Sequence, residues 1–137
     1  MILFIEDDKR WAEVLVDELT LSGFKVAFFE EVDCALKFFN LNYARIELIL
    51  LDIMMSWGTS FSNEETDDGL RTGVLVFERI RKIAPAVPLI ILTNINKQEL
   101  SQRFPVGNRC WLVHKSDFLP HELAEAVRNR LAESSEK

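Results

Sequence analysis

Four groups of polar residues stand directly behind short apolar runs, and together they hold the parts of a phosphoryl-transfer centre. Glu6, Asp7 and Asp8 follow residues 2–5, and Asp52 follows residues 46–51. Thr93 and Asn94 follow residues 89–92, and His114, Lys115 and Ser116 follow residues 110–113. Carboxylates held close together raise one another's pKa unless a cation sits among them. A purely oxygen donor set suits a hard ion, and magnesium, which keeps several of its waters, is the natural choice, with manganese as the alternative. A lysine adds positive charge from the opposite side, and the Thr93 hydroxyl can bind an oxygen of an incoming group. Carboxylate nucleophile, metal site and fixed donors are what phosphoryl transfer requires. Taken singly, each residue reads as a solubilising cap on a strand end; the chemical reading rests on the whole set in this order.

For the four groups to converge, the apolar runs must be parallel strands. Residues 2–5, 46–51 and 89–92 do not alternate in polarity, as befits strands buried on both faces. Residues 25–29 and 110–113 are weaker strand candidates. Between them the spacing predicts helices. Residues 9–22 align Trp11, Val14, Leu15 and Leu19 before a stop at Gly23, and residues 30–41 align Ala35, Leu36 and Phe39. Residues 69–84 align Leu70, Val74, Phe77 and Ile80 before Pro85, and a shorter helix is expected at 96–104. The last, near 118–131, aligns Leu119, Leu123, Val127 and Leu131, with Ser116 or Asp117 as its N-cap. A β-α unit repeated five times implies an α/β fold, a five-stranded parallel sheet in a doubly wound three-layer α/β/α sandwich. Such sheets bind ligands beyond the C-terminal strand ends. Residues 53–68 form a polar loop too long for a plain βα turn.

The chain has 137 residues, the size of one domain, expected to span 1–133 with a frayed tail at 134–137. Its net charge of −6 argues against a nucleic-acid or anionic-membrane binder, either of which would want a basic face. Cys34 and Cys110 lie far apart in apolar surroundings and read as reduced, buried packing residues. No basic leader precedes an apolar core, and no apolar run reaches membrane-spanning length, so the expected location is cytoplasmic.

The segments "FIEDD", "LILLD", "DG", "PLIILT" and "WLVHKSDF" make the sequence resemble the response-regulator receiver domain of two-component signalling over residues 2–131. The resemblance implies a flavodoxin-like strand order 2-1-3-4-5 and a phosphoacceptor signalling domain, not an enzyme. It implies that Asp52 is the phosphoacceptor and Asp7 a direct magnesium ligand, with Glu6 reaching the ion through water. The backbone carbonyl of Met54 would complete the protein's ligands. Thr93 would turn toward the phosphoryl group on activation, and Lys115 would pair with one of its oxygens. The implied donor is a histidine kinase or phosphotransfer protein in a phosphorelay. The sequence ends at Lys137 without an output domain, so the expected output is contact with another protein through residues 96–104, 110–113 and the last helix.

Several positions depart from the family pattern. Leu112 stands where many receivers carry a switch aromatic, and the adjacent Trp111 is either a packing aromatic or a partial replacement. Ser116 follows the lysine where proline is usual, which argues against a cis bond and for a reshaped loop. Asn94 replaces a small residue, so Asn94→Ala is expected to alter phosphorylation or dephosphorylation. The apolar Met54 is expected to slow hydrolysis of the acyl phosphate, and His114 is read as a strand-end residue. The loop after Asp52 is about nine residues longer than usual and is either a solvated insertion or a lid or docking element. Three rival readings stand beside the main one. The first is a receiver-like interaction module that works without phosphorylation. The second, a haloacid-dehalogenase-type phosphatase, lacks its second aspartate because Met54 occupies that place. The third, a flavin-binding protein, lacks a phosphate loop after the first strand.

Overall fold

A computed structural model describes residues 1–56, 58–67, 69, 71–94 and 109–135. The expected helix at 96–104, together with Trp57, Asp68 and Leu70, lies outside these residues. Five strands, β1 (Ile2–Ile5), β2 (Val26–Phe29), β3 (Leu48–Asp52), β4 (Leu89–Thr93) and β5 (Cys110–His114), form one parallel sheet in the order β2-β1-β3-β4-β5. The helices are α1 (Lys9–Leu21), α2 (Val32–Asn42), the short α3 (Asn63–Thr66), α4 (Thr72–Ile83) and α5 (Pro120–Ser135).

The parallel sheet is covered on both faces, which is why its central strands are continuous apolar runs. Alternate residues of β1, β3 and β4 divide between two cores. Leu3, Ile5, Ile49, Leu51 and Ile91 pack with Ala35, Leu36 and Phe39 of α2 and Val74, Phe77 and Ile80 of α4. Ile2, Phe4, Leu48, Leu50, Ile90 and Leu92 pack with Ala12, Leu15 and Leu19 of α1 and Leu123 and Val127 of α5. The edge strands β2 and β5 are only partly buried, which accounts for their weaker apolar pattern.

Some expectations need correction. The strand expected at 46–51 begins at Leu48, because a 3-10 turn over Tyr43–Arg45 ends on Ile46. Ile46 is buried as a core side chain, not as a strand residue. On α1 the inward positions are Ala12, Leu15 and Leu19, while Val14 is 53% exposed. Neither Ser116 nor Asp117 caps α5. Both lie in a 3-10 turn, Lys115–Asp117, and the helix opens with Pro120, whose fixed φ and missing N–H suit a first helical position. The Leu119 amide, just before it, donates to Glu122 Oε1 at 2.8 Å, and the Leu119 side chain is exposed instead of lying on the packed stripe. Cys110 is buried as expected, but Cys34 is exposed, because the apolar side of α2 is taken by Val32, Ala35, Leu36 and Phe39. Gly23 does end α1: it adopts φ +95°, and its amide donates to the Thr20 carbonyl.

Candidate functional site

The strand order reverses direction between β1 and β3, and the residues that leave these two strands share the crevice at that switch point. Ile5 pairs with Leu51 in the register, so Glu6 and Asp52 emerge side by side. Glu6 is fully buried, Asp52 is 5% exposed and Asp7 faces solvent. One carboxylate oxygen from each of the three lies within 4.8 Å of the others. Asp8, the third acid of the first group, serves elsewhere: its Oδ1 accepts from the Trp11 amide at 3.2 Å and caps α1.

Lys115 arrives from the end of β5. Its Nζ lies 2.8 Å from Glu6 Oε1 and 3.4 Å from Asp52 Oδ1, and 4.5 Å over the ring of Trp11. One cation thus bridges two buried carboxylates. Burial pushes the Glu6 carboxyl up to about 8, helped by the Asp52 charge and opposed by Lys115. Burial likewise pushes Asp52 up to about 6 against the pull of Lys115. For Lys115, burial works against the charge, but Glu6 and Asp52 outweigh it and hold the ammonium above its usual range. The two acids therefore hold protons more tightly than ordinary carboxylates, and a second positive charge among them would release those protons.

The donor set fits a hard divalent ion. It consists of carboxylates only, and Glu6 Oε2 is buried with no hydrogen-bond partner in the protein. A buried carboxylate oxygen in that condition is costly, and an ion or its water would satisfy it. Glu6, Asp7 and Asp52 are the residues that could hold it. Met54, two residues past Asp52, is exposed. Thr93, at the C-terminal end of β4, is 1% exposed and stands in register with His114, one step beyond the Leu92–Asp52 pair.

The turn after Asp52 is fixed by close packing. The Ile53 amide donates to Asp52 Oδ1 at 2.8 Å, and the Ile53 carbonyl accepts from the Gly73 amide at 2.8 Å. A Cβ on Gly73 would fall 2.5 Å from the Asp52 carbonyl oxygen, so only glycine lets α4 approach this closely. Thr72 Oγ1, also buried, donates to the Met55 carbonyl at 2.5 Å. Sequence reasoning missed both residues; a Thr-Gly pair opening a helix was their only signal.

The lysine turn has its own fastening. His114 Nδ1 accepts from the Ser116 amide at 3.2 Å, so the ring proton is on Nε2, which donates to the Asn94 carbonyl at 2.9 Å. His114 therefore ties the end of β5 to the end of β4 and caps the 3-10 turn that carries Lys115. No cis peptide occurs among the described residues, in keeping with Ser116 in place of proline. Leu112 packs into the α2–α4 core and Trp111 against the α1–α5 core, where Arg130 stacks 4.5 Å from its ring.

No family model matches the sequence, and neither does any curated protein. Solved structures match closely in fold. A CheY-like response-regulator receiver domain protein from Methanospirillum hungatei JF-1 aligns with a TM-score of 0.76 at 19% identity, over 98% of this chain and 95% of that one. The receiver domain of the Francisella response regulator 1452 aligns at 0.75 with 20% identity, over 97% of both chains. The BeF3-activated DrrB receiver domain aligns at 0.68 with 21% identity, over 96% of both. With its parallel sheet in the order β2-β1-β3-β4-β5 and its acidic pocket at the switch point, this chain has the fold of CheY-like response-regulator receiver domains.

Proposed function

We propose that this chain is a signalling switch whose Asp52 accepts a phosphoryl group from a histidine kinase or a phosphotransfer protein. The observation that carries the reading is the convergence of Glu6, Asp7 and Asp52 beside Lys115, with one Glu6 oxygen buried and unpartnered. In the transfer, an Asp52 oxygen attacks the phosphorus of a phosphohistidine. The O–P bond forms, the N–P bond breaks, and its electron pair stays on the imidazole nitrogen.

The chain's own groups prepare this step. The Ile53 amide steadies Asp52 Oδ1, Lys115 faces the same oxygen and would pair with a phosphoryl oxygen, and Thr93 supplies a hydroxyl at the neighbouring strand end. Asp7 and Asp52 directly, Glu6 through water and the Met54 carbonyl would hold magnesium, with manganese as the alternative. The ion would neutralise charge on the transferring oxygens. The chain would catalyse nothing beyond loss of its own phosphate.

Phosphorylation would add charge and acceptor oxygens that shift a pre-existing equilibrium, read by a partner protein in the cytoplasm, not by nucleic acid or a membrane. The test is a titration of magnesium and then beryllofluoride into wild type and Asp52→Asn. Tryptophan fluorescence reports binding, since Trp11 lies under Lys115, and calorimetry backs it up. A magnesium-dependent response lost in Asp52→Asn supports the reading. If neither ligand binds the wild type, the receiver-like module that works without phosphorylation takes its place.

A further inference from the structure

Beyond Ile53 and Met54, the segment between Asp52 and α4 has no role in the function proposed above, yet its described residues are tied down at both ends. Asp33, the second residue of α2, accepts from the Thr59 amide at 2.7 Å, Thr59 Oγ1 at 3.0 Å and the Ser60 amide at 2.8 Å, and also from Ser60 Oγ. Four donors thus occupy both oxygens of one carboxylate. Gly58 makes room for it: its φ is +62°, and a Cβ there would fall 2.5 Å from Asp33 Oδ2. The same donors hold the Asp33 carboxyl down at about 2.

From this anchor further contacts follow among the described residues. Phe61 lies 4.5 Å beneath the guanidinium of Arg79 on α4 and packs on the α2–α4 core. Ser62 and Glu65 close a reciprocal capping box on α3. The Thr66 carbonyl accepts from the Arg71 amide at 2.7 Å, and Thr66 Oγ1 accepts from the Gly69 amide at 3.2 Å. The Gly69 carbonyl accepts from the Met55 amide at 3.2 Å, and Met55 is held in turn by Thr72. Gly73 then holds Ile53, and Ile53 holds Asp52 Oδ1.

We propose that Asp33 is the latch of this loop and, through it, a positioning residue for Asp52. The latch fixes Thr59 and Ser60 against α2, the loop transmits that restraint to Met55 and α4, and the entry of α4 sets the turn that aims the Asp52 carboxylate. The link is reciprocal, so a change at Asp52 is also felt at Thr59 and Ser60. The importance of Asp52 itself rests on the phosphoacceptor reading, but the link does not.

The experiment is amide hydrogen exchange on the whole chain. It compares wild type with Asp33→Ala, Asp33→Asn and the double variant Thr59→Ala/Ser60→Ala, which leaves the sequence of α2 intact should Asp33→Ala disturb the helix. Exchange at Ile53, Met55 and Gly73 is expected to accelerate about tenfold in Asp33→Ala and by a smaller factor in the double variant, which keeps the two amide donors of the latch. Asp33→Asn, which keeps an acceptor oxygen, is expected to recover part of the protection. Acceleration confined to residues 58–62 overturns the proposal. In the same variants beryllofluoride affinity is expected to fall several-fold, and unchanged affinity in a binding-competent wild type overturns the aiming of Asp52. A wild type that fails to bind the mimic removes the phosphoacceptor reading instead, and the exchange result at Met55 and Gly73 then decides the latch alone.

Discussion

Lys115 sits closer to Glu6 than to Asp52: its Nζ is 2.8 Å from Glu6 Oε1 and 3.4 Å from Asp52 Oδ1. The lysine therefore compensates a fully buried acid while also facing the residue proposed to react. Lys115→Met would leave Glu6 buried without its cation. Breaking a buried pair costs about 3–5 kcal/mol, and uptake of a proton by Glu6 limits the loss to the lower end, about 3 kcal/mol. Denaturant unfolding at neutral pH checks this. Beryllofluoride affinity in the same variant is expected to fall by at least about tenfold, for loss of a charge-assisted hydrogen bond.

The acids give the stability of the metal-free protein a definite pH dependence. Glu6 moves from 4.5 unfolded to about 8 folded, and Asp52 from 3.8 to about 6. Both shifts are upward, so the folded state holds protons that the unfolded state has released, and stability falls as pH rises through this window. Thermal unfolding without divalent ions is expected to show a lower midpoint at pH 8 than at pH 5.5. Magnesium, which favours the ionised acids, is expected to raise the midpoint more at pH 8 than at pH 5.5. Glu6→Gln should flatten the upper part of the metal-free slope and weaken magnesium binding by about tenfold, the usual effect of losing an outer-sphere ligand. A midpoint that rises from pH 5.5 to pH 8 in metal-free wild type contradicts this account.

Gly73 is expected to be intolerant of the smallest side chain. In Gly73→Ala the new Cβ meets backbone, 2.5 Å from both the Asp52 oxygen and the Ile53 Cα, so no side chain can swing aside to relieve it. Overpacking of this kind costs about 1–3 kcal/mol, and the relief must come from α4 moving away from the Asp52 turn. Lower stability should therefore be accompanied by weaker beryllofluoride binding. Unfolding and binding titrations on the one variant test both effects.

The central strands were legible because burial on both faces turns β1, β3 and β4 into unbroken apolar runs. Glu6, Asp7 and Asp52 were legible for the same reason, since they stand where β1 and β3 end, whereas Lys115 follows the weaker pattern of the edge strand β5. Helix faces were less certain. Val14 is apolar yet exposed, because the small Ala12 takes the inward position where α1 meets the sheet. What the sequence hid were relations over long separations. Asp33 reads as an ordinary acid in a first helical turn, and nothing local connects it with Thr59 and Ser60. Gly73 reads as a weak point in a helix until β3 is set beside it.

The two cysteines should differ sharply toward a thiol reagent. Cys34 is exposed, whereas Cys110 is buried and its thiol is pushed up to about 11 by burial. The thiolate is the reactive form, so at pH 8 one thiol per chain should react in the folded protein and both in denaturant. Two fast thiols in the folded state contradict the burial of β5.

His114 is the part of the site that strand-end reasoning left without a role, and its bonds give it one. Nδ1 takes the Ser116 amide while Nε2–H reaches the Asn94 carbonyl, so the ring joins the turn that carries Lys115 to the end of the strand that carries Thr93. Where a proline would stiffen the backbone after the lysine, these bonds do so without it. His114→Ala removes both and frees the turn at Lys115–Asp117, so the ammonium is less firmly held between Glu6 and Asp52. Loss of neutral hydrogen bonds at this exposed place is worth about 1 kcal/mol, and beryllofluoride affinity should fall by about fivefold, with magnesium affinity nearly unchanged because no carboxylate is touched. His114→Asn keeps an acceptor near Nδ1 and should restore part of the loss. Calorimetric titration of both ligands separates the outcomes: a parallel fall in magnesium affinity would mean that His114 supports the whole pocket and not the lysine turn.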